Sequence, residues 1–428
     1  MSRGGWRPLV AAAVLAAAGC GAGTQPQEVV RFWGLGREGE VVEELLDPFR
    51  AQHPELAIEV QQIPFTAAHE KLLTALIGGA APDLAQVGNT WIPEFVVLDA
   101  VEALDDRLGH SSVIARDDYF AGVWETNVVD SRLYGVPWYV DTRIVFYRTD
   151  LLAAAGCEPF PRTWQAWLEC MRRVVALPGG ERFAILLPTD EWAQPVVLGM
   201  QQGATLLTGD GSHAAFSSPE FARAFDFYIG IFEERLAPAL STAQIGNVYQ
   251  QFAEGRFAMY ITGPWNMGEF RRRLPPSALA VWGTAPLPAP DDDWPGASLA
   301  GGASLVIFKQ STRKTAAWQV IEYLSRPEVQ LEFYRLSGDL PARVTAWQDP
   351  LLADDPQAAA FFTQLGKVRP VPRVAEWEQI ATRLFERAEE AIQGVATNQQ
   401  VLAGLDRDVD RFLAKRRWVR GRAEGSGS

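Results

Sequence analysis

Histidine and cysteine are scarce in this chain. Four His and three Cys are spread over 428 residues, and none pair at the short spacing that metal ligands use. Neither a metal centre nor a cofactor is expected. Basic charge is also short: 39 Lys and Arg face 52 Asp and Glu, a formal charge of −13. A phosphate backbone needs clustered cations, so nucleic acid is excluded as a partner. The one basic cluster, Lys415-Arg416-Arg417 with Arg420 and Arg422, reads as a solvated helix end, where the helix dipole favours cations. Long apolar runs are missing. The stretch at 9–18 falls below the ~20 residues of a spanning helix, and no solenoid repeat is apparent. What is abundant is flat apolar surface. Fifteen Trp sit in an otherwise ordinary globular composition, and the length predicts two or three folding units.

Arg3 and Arg7 precede the 9–18 run, and Ala17-Ala18-Gly19-Cys20 closes it. A basic start, a short apolar run and small residues describe a secretory signal over 1–19. The closing residues resemble a bacterial lipoprotein lipobox, with Ala17 where Leu is usual. That resemblance implies a lipidated Cys20 and membrane contact through the lipid; a plain secretory signal with an incidental Cys is the alternative. Residues 20–27 would form a small, polar tether. Cys157 and Cys170 remain. In an oxidising compartment an even remainder suggests a disulfide, and two buried thiols fit equally well.

Along the chain, residues 28–33 and 56–63 alternate as strands, 41–49 and 67–77 carry helical spacing, and 83–87 is a short buried strand. This β-α-β-α-β order predicts a parallel sheet with helices on both faces. Ligands on such sheets bind beyond the C-terminal strand ends, which singles out the loops at 34–36, 64–66 and 88–91. Later strands are expected within 133–147, 183–187, 257–261, 279–285 and 304–308, and Thr163 is expected to cap a helix. From residue 312 onward the pattern is almost all helical.

Several stretches resemble, in order, the sugar-binding proteins of bacterial ABC importers, the family that includes maltose-binding protein. They are Phe32-Trp33-Gly34, Ala81-Pro82-Asp83-Leu84, Tyr134-Gly135-Val136-Pro137, Pro161-Arg162-Thr163-Trp164, Gly263-Pro264-Trp265, Gly301-Gly302 and Gly338-Asp339-Leu340-Pro341-Ala342-Arg343. The resemblance implies an α/β, two-lobed periplasmic-binding fold of type II-like form, each lobe a mixed sheet flanked by helices, with a helical C-terminal region. The N-lobe would take 28–140 and 281–304, and the C-lobe 141–280 and 305–420, with a disordered tail at 421–428. Crossings would lie near Asp141, Ala280 and Ser304. Implied partners are a carbohydrate, expected to be an oligosaccharide such as a di- or trisaccharide held in an interlobe cleft, and the ABC permease subunits in the membrane. The protein would be a monomer held outside the cytoplasm.

A sugar offers hydroxyls around a ring whose faces carry C–H groups, so a good site sets a flat aromatic against one face and fixed polar groups at the edge. Trp33, Trp91, Trp192, Trp265 and Trp377 lie past strand ends or at helix starts, with core packing as the alternative for each. Asn89 and Thr90 follow the third strand, to bind ligand or to cap a helix. Tyr139 and Asp141 sit at the expected hinge. Gly34, Gly301 and Gly302 would let backbone approach the ligand or simply make tight turns. Arg343 would donate to the sugar or pair with an acid, and Asp190 and Glu191 are weaker candidates beside Trp192. Two competing readings are a secreted carbohydrate hydrolase, which needs two carboxylates flanking the scissile bond, and the same fold holding a glycerol-phosphodiester, polyol or peptide.

Overall fold

The computed structural model describes residues 27–425. The expected signal segment and Cys20 therefore lie outside the described residues. Among the described residues no helix is long and apolar enough to cross a membrane, and no group of His, Cys, Asp or Glu converges as a metal site.

The molecule is built on two large sheets, with three two-stranded ribbons beside them among the described residues. Strand Glu28–Leu35 pairs in parallel with Leu56–Ile63 over its whole length and with Leu84–Gly88 on its other side. Gly301–Ile307, Val136–Asp141 and Leu340–Pro341 extend this six-stranded sheet in antiparallel fashion. The parallel part is what the alternating hydrophobic blocks predicted. Helix Gly36–Leu45 docks close to the first strand because both contact points are glycine: a Cβ on Gly34 would stand 2.7 Å from Gly39 Cα. Gly34 thus serves helix–strand packing.

The second sheet has four strands. Ile144–Arg148 pairs antiparallel with Trp282–Ala285 and with Phe257–Thr262, and the latter runs parallel to Phe183–Leu186. Helix Trp164–Val175 covers it, and Thr163 caps that helix by accepting from Ala166 N at 3.3 Å. Cys157 and Cys170 are joined by a disulfide, Cα to Cα 5.8 Å, tying the loop before this helix to its second turn.

Two of the three expected crossings lie elsewhere. The first falls at 142–143, between the last strand of one sheet and the first of the other. The next falls after Ala285 rather than near Ala280, because Trp282–Ala285 bonds to Ile144–Arg148 in the second sheet. Ser304 is inside a strand of the first sheet, and helices Lys314–Leu324 and Pro327–Ser337 pack on that first lobe too. The chain returns to the second lobe only before helix Pro356–Leu365, which packs on Trp282–Ala285. Helices Trp377–Ile392 and Asn398–Phe412 then pack together and against Pro219–Glu233.

Of the expected tail at 421–428, residues 421–425 are helical, and 426–428 lie outside the described residues. Helix Ala414–Gly425 carries the chain through residue 425. The basic cluster at its start is paired rather than simply solvated: Arg416 bonds Glu376 at 2.8 Å and Arg417 reaches Asp410 at 3.4 Å.

Candidate functional site

The lobes meet along a cleft, and its polar groups come from both. Strand Val136–Asp141 ends the first lobe's contribution at the crossing, so its last residues face the second lobe. There Asp141 accepts from Arg143 Nη1 through both oxygens, at 2.7 and 2.8 Å. The same guanidinium lies over the Trp265 ring, 4.7 Å from its centroid, and 4.0 Å from Glu191. Burial works against the Arg143 charge, but Asp141 and Glu191 outweigh it and hold its pKa above the usual value. Burial raises Glu191, with Arg143 opposing.

Trp265 opens the helix that follows strand Phe257–Thr262. Gly263 permits its ring to fold back beside the strand end, since a Cβ there would fall 1.9 Å from the indole. The ring is still 38% exposed, and it is the one tryptophan among the proposed site residues with so much open surface.

A second polar chain lines the first lobe. Gln86 Nε2 donates to the Tyr139 hydroxyl at 3.3 Å, which donates to Glu38 Oε1 at 3.2 Å. Glu38 in turn adjoins Asp339. Burial raises Glu38; burial and then the Glu38 charge push Asp339 well above the carboxylate range. Burial likewise lifts the Tyr139 phenol, which stays neutral and able to donate.

The two glycines shape this wall from behind. Gly302 has φ +131°, and a Cβ there would stand 2.2 Å from Tyr139 O. At Gly301 the Cβ would meet Asp141 O at 2.9 Å. Both allow strand Gly301–Ile307 to press on Tyr139 and Asp141, in a stretch where the pairing register shifts.

Other expected site residues are placed differently. Arg343 is not in the cleft. It is buried in the first lobe, donating to Asp118 Oδ2 at 2.5 Å and to the carbonyls of Val113 and Ser325 at 2.9 Å. It follows a strand that turns inward, so its side chain meets the lobe's own acid. Trp377 is wholly buried, with Trp192 edge-on to it at 5.4 Å. Trp91 folds back onto Gly88, where a Cβ would lie 3.1 Å from its ring, and is only 6% exposed. Trp33 is buried under helix Phe65–Ile77, with Lys71 Nζ 5.2 Å from its ring. Asn89 donates to Ala300 O at 3.0 Å, and Thr90 Oγ1 donates to Glu378 Oε1 at 2.6 Å. Neither side chain caps the short helix that they begin.

The structure therefore brings together Tyr139, Asp141, Glu191 and Trp265, and adds Glu38, Arg143 and Asp339. Asp339 was within reach of sequence reasoning: it belongs to the Gly338–Arg343 motif, where the arginine drew attention instead. Glu38 had only its place just past the first strand's loop to mark it.

Comparisons with known proteins agree with this architecture. The profile of the bacterial extracellular solute-binding proteins matches residues 33–331. The sugar-binding protein MalE of Xanthomonas citri superposes with a TM-score of 0.88 at 45% identity, over 92% of this chain and 99% of that one. A Brucella abortus protein named only as a binding protein is 25% identical over 388 residues, 89% of this chain and 91% of its own. An arabinooligosaccharide-binding protein of Halalkalibacterium halodurans is 24% identical over 340 residues, 77% of this chain and 75% of its own. With two lobes, a polar cleft between them and a profile match over most of its length, this chain belongs to the bacterial extracellular solute-binding protein family of ABC sugar importers.

Proposed function

We propose that the protein is a lipoprotein anchored through Cys20 outside the cytoplasm, which captures an uncharged sugar between its lobes as a monomer and presents it to an ABC permease. The observation that carries this reading is the Trp265 ring, 38% exposed beside the fixed Asp141–Arg143 pair. An indole face takes the C–H side of a sugar ring, while a carboxylate and a guanidinium take hydroxyls at its edge. Three chain crossings restrict the lobes to bending, and contacts from both lobes favour the closed form.

The competing ligands fit less well. A phosphodiester needs uncommitted cationic donors, yet Arg143 is already matched by Asp141 and flanked by Glu191. A hydrolase needs two free carboxylates standing apart across the scissile bond, whereas Glu38 and Asp339 adjoin each other and Asp141 and Glu191 both lie on the one Arg143 guanidinium. The test is a thermal-shift screen against mono- to tetrasaccharides, since a ligand that binds only the native state raises the melting temperature. A neutral sugar should give a shift that Trp265→Ala abolishes, with little change in the unliganded midpoint. A large loss of unliganded stability would instead make Trp265 a packing residue.

A further inference from the structure

One end of the cleft is tied shut. Thr90 belongs to the loop after strand Leu84–Gly88 of the first lobe. Glu378 lies in the first turn of helix Trp377–Ile392, which packs in the second lobe. Their side chains meet at 2.6 Å. On the same side, Arg373 Nη1 donates to Glu125 O at 3.0 Å and Val128 O at 2.7 Å, fastening the segment that leads into that helix to the first lobe. Between these ties, Asn89, Thr90, Thr126, Ala300 and Arg373 line a cavity of ≈ 10 Å³. That is about the room one water needs, and no sugar ring enters it.

The aromatics at this end are withdrawn as well. Trp377 is fully buried against Trp192, and Trp91 is folded onto Gly88. A row of sugar units needs a row of open faces or edges. Here the open face is Trp265, and the polar groups beside it are Arg143 with its partners Asp141 and Glu191.

We infer that the Thr90–Glu378 contact limits ligand length, by excluding chains that would extend past Trp192 toward Thr90. This rests on the sugar reading above. It treats Thr90 and Glu378 as specificity determinants that act by closing the cleft, without touching the sugar held at Trp265. Glu378→Gln keeps an oxygen that accepts from Thr90, so it should behave as the parent. Glu378→Ala and Thr90→Ala remove the tie.

Isothermal titration of the full chain decides it. The probes are maltose, maltotriose and maltotetraose, with galactosyl and arabinosyl series of the same lengths in parallel. In whichever series binds, the parent and Glu378→Gln should hold the disaccharide at least tenfold more tightly than the tetrasaccharide. Glu378→Ala and Thr90→Ala should bring that ratio within about threefold by gaining affinity for the longer chain. Equal binding of both lengths by the parent overturns the length limit and leaves the sugar reading standing. An unchanged ratio in both alanine variants, each folded by circular dichroism, does the same. No heat with any series at any length overturns the sugar reading itself, and the limit with it.

Discussion

A tryptophan past a strand end can face the solvent or the core, even with a glycine beside it in both cases. Gly88 gives Trp91 a surface to lie on, and the ring turns inward; Gly263 lets Trp265 fold beside its strand, and the ring stays open to the cleft. Each tryptophan follows a glycine just past a strand end, so that placement was legible and the direction of the ring was not. Arg343 teaches the same lesson with a charge. Its acid, Asp118, lies 225 residues away, beyond any local pattern. Arg343→Ala should therefore cost about 3 kcal/mol, because it strands a largely buried carboxylate, while sugar affinity stays as it was. Urea unfolding and titration together check this, and a variant of normal stability with lost affinity would return Arg343 to the site. His69 provides a pH test. Its Nε2 lies 2.7 Å from Glu94 Oε2, and this hydrogen bond, against opposing burial, raises its pKa above 6.5. A raised histidine contributes stability that is complete below the unfolded pKa and lost as pH rises through the folded one. Between about pH 6 and about pH 8 the parent should lose more stability than His69→Gln, read from urea midpoints. Parallel slopes in the two proteins would show that the pair contributes nothing.

Elements were easier to read than their partners. The alternating runs at 28–33 and 56–63 and the helical block between them appear where periodicity put them, as does the Thr163 cap. The sheet to which a strand belongs is a long-range choice. Trp282–Ala285 joins the second sheet because residues 145–148, more than a hundred positions earlier, offer it an antiparallel edge. Nothing in the strand's own four residues announces that. The disulfide is another such pairing: the cysteine count left it open beside two free thiols, and only the folded geometry puts Cys157 next to Cys170. It closes a loop with a separation of 13 residues, for which loop-closure entropy gives about 3 kcal/mol. The double variant Cys157→Ser, Cys170→Ser should unfold earlier in denaturant by that amount and keep its ligand affinity. A change in affinity instead would show that helix Trp164–Val175 helps set the cleft.

At the scale of the whole molecule, two lobes and the junction between them follow from a chain that passes between the two large sheets three times. The first passage, at Thr142 and Arg143, is also where the polar pair of the site is made, so the hinge and the binding surface share residues. Through Arg143, Trp265 and Glu191 of the second lobe are joined to Asp141 of the first. The proposed neutral sugar occupies this junction, and a crystal structure of the protein with the sugar that raises its melting temperature most tests that placement directly. A pyranose or furanose ring is expected against the free surface of Trp265, with hydroxyls on Asp141 and Arg143. Density lodged elsewhere, or an anion drawing Arg143 away from Asp141, would contradict it.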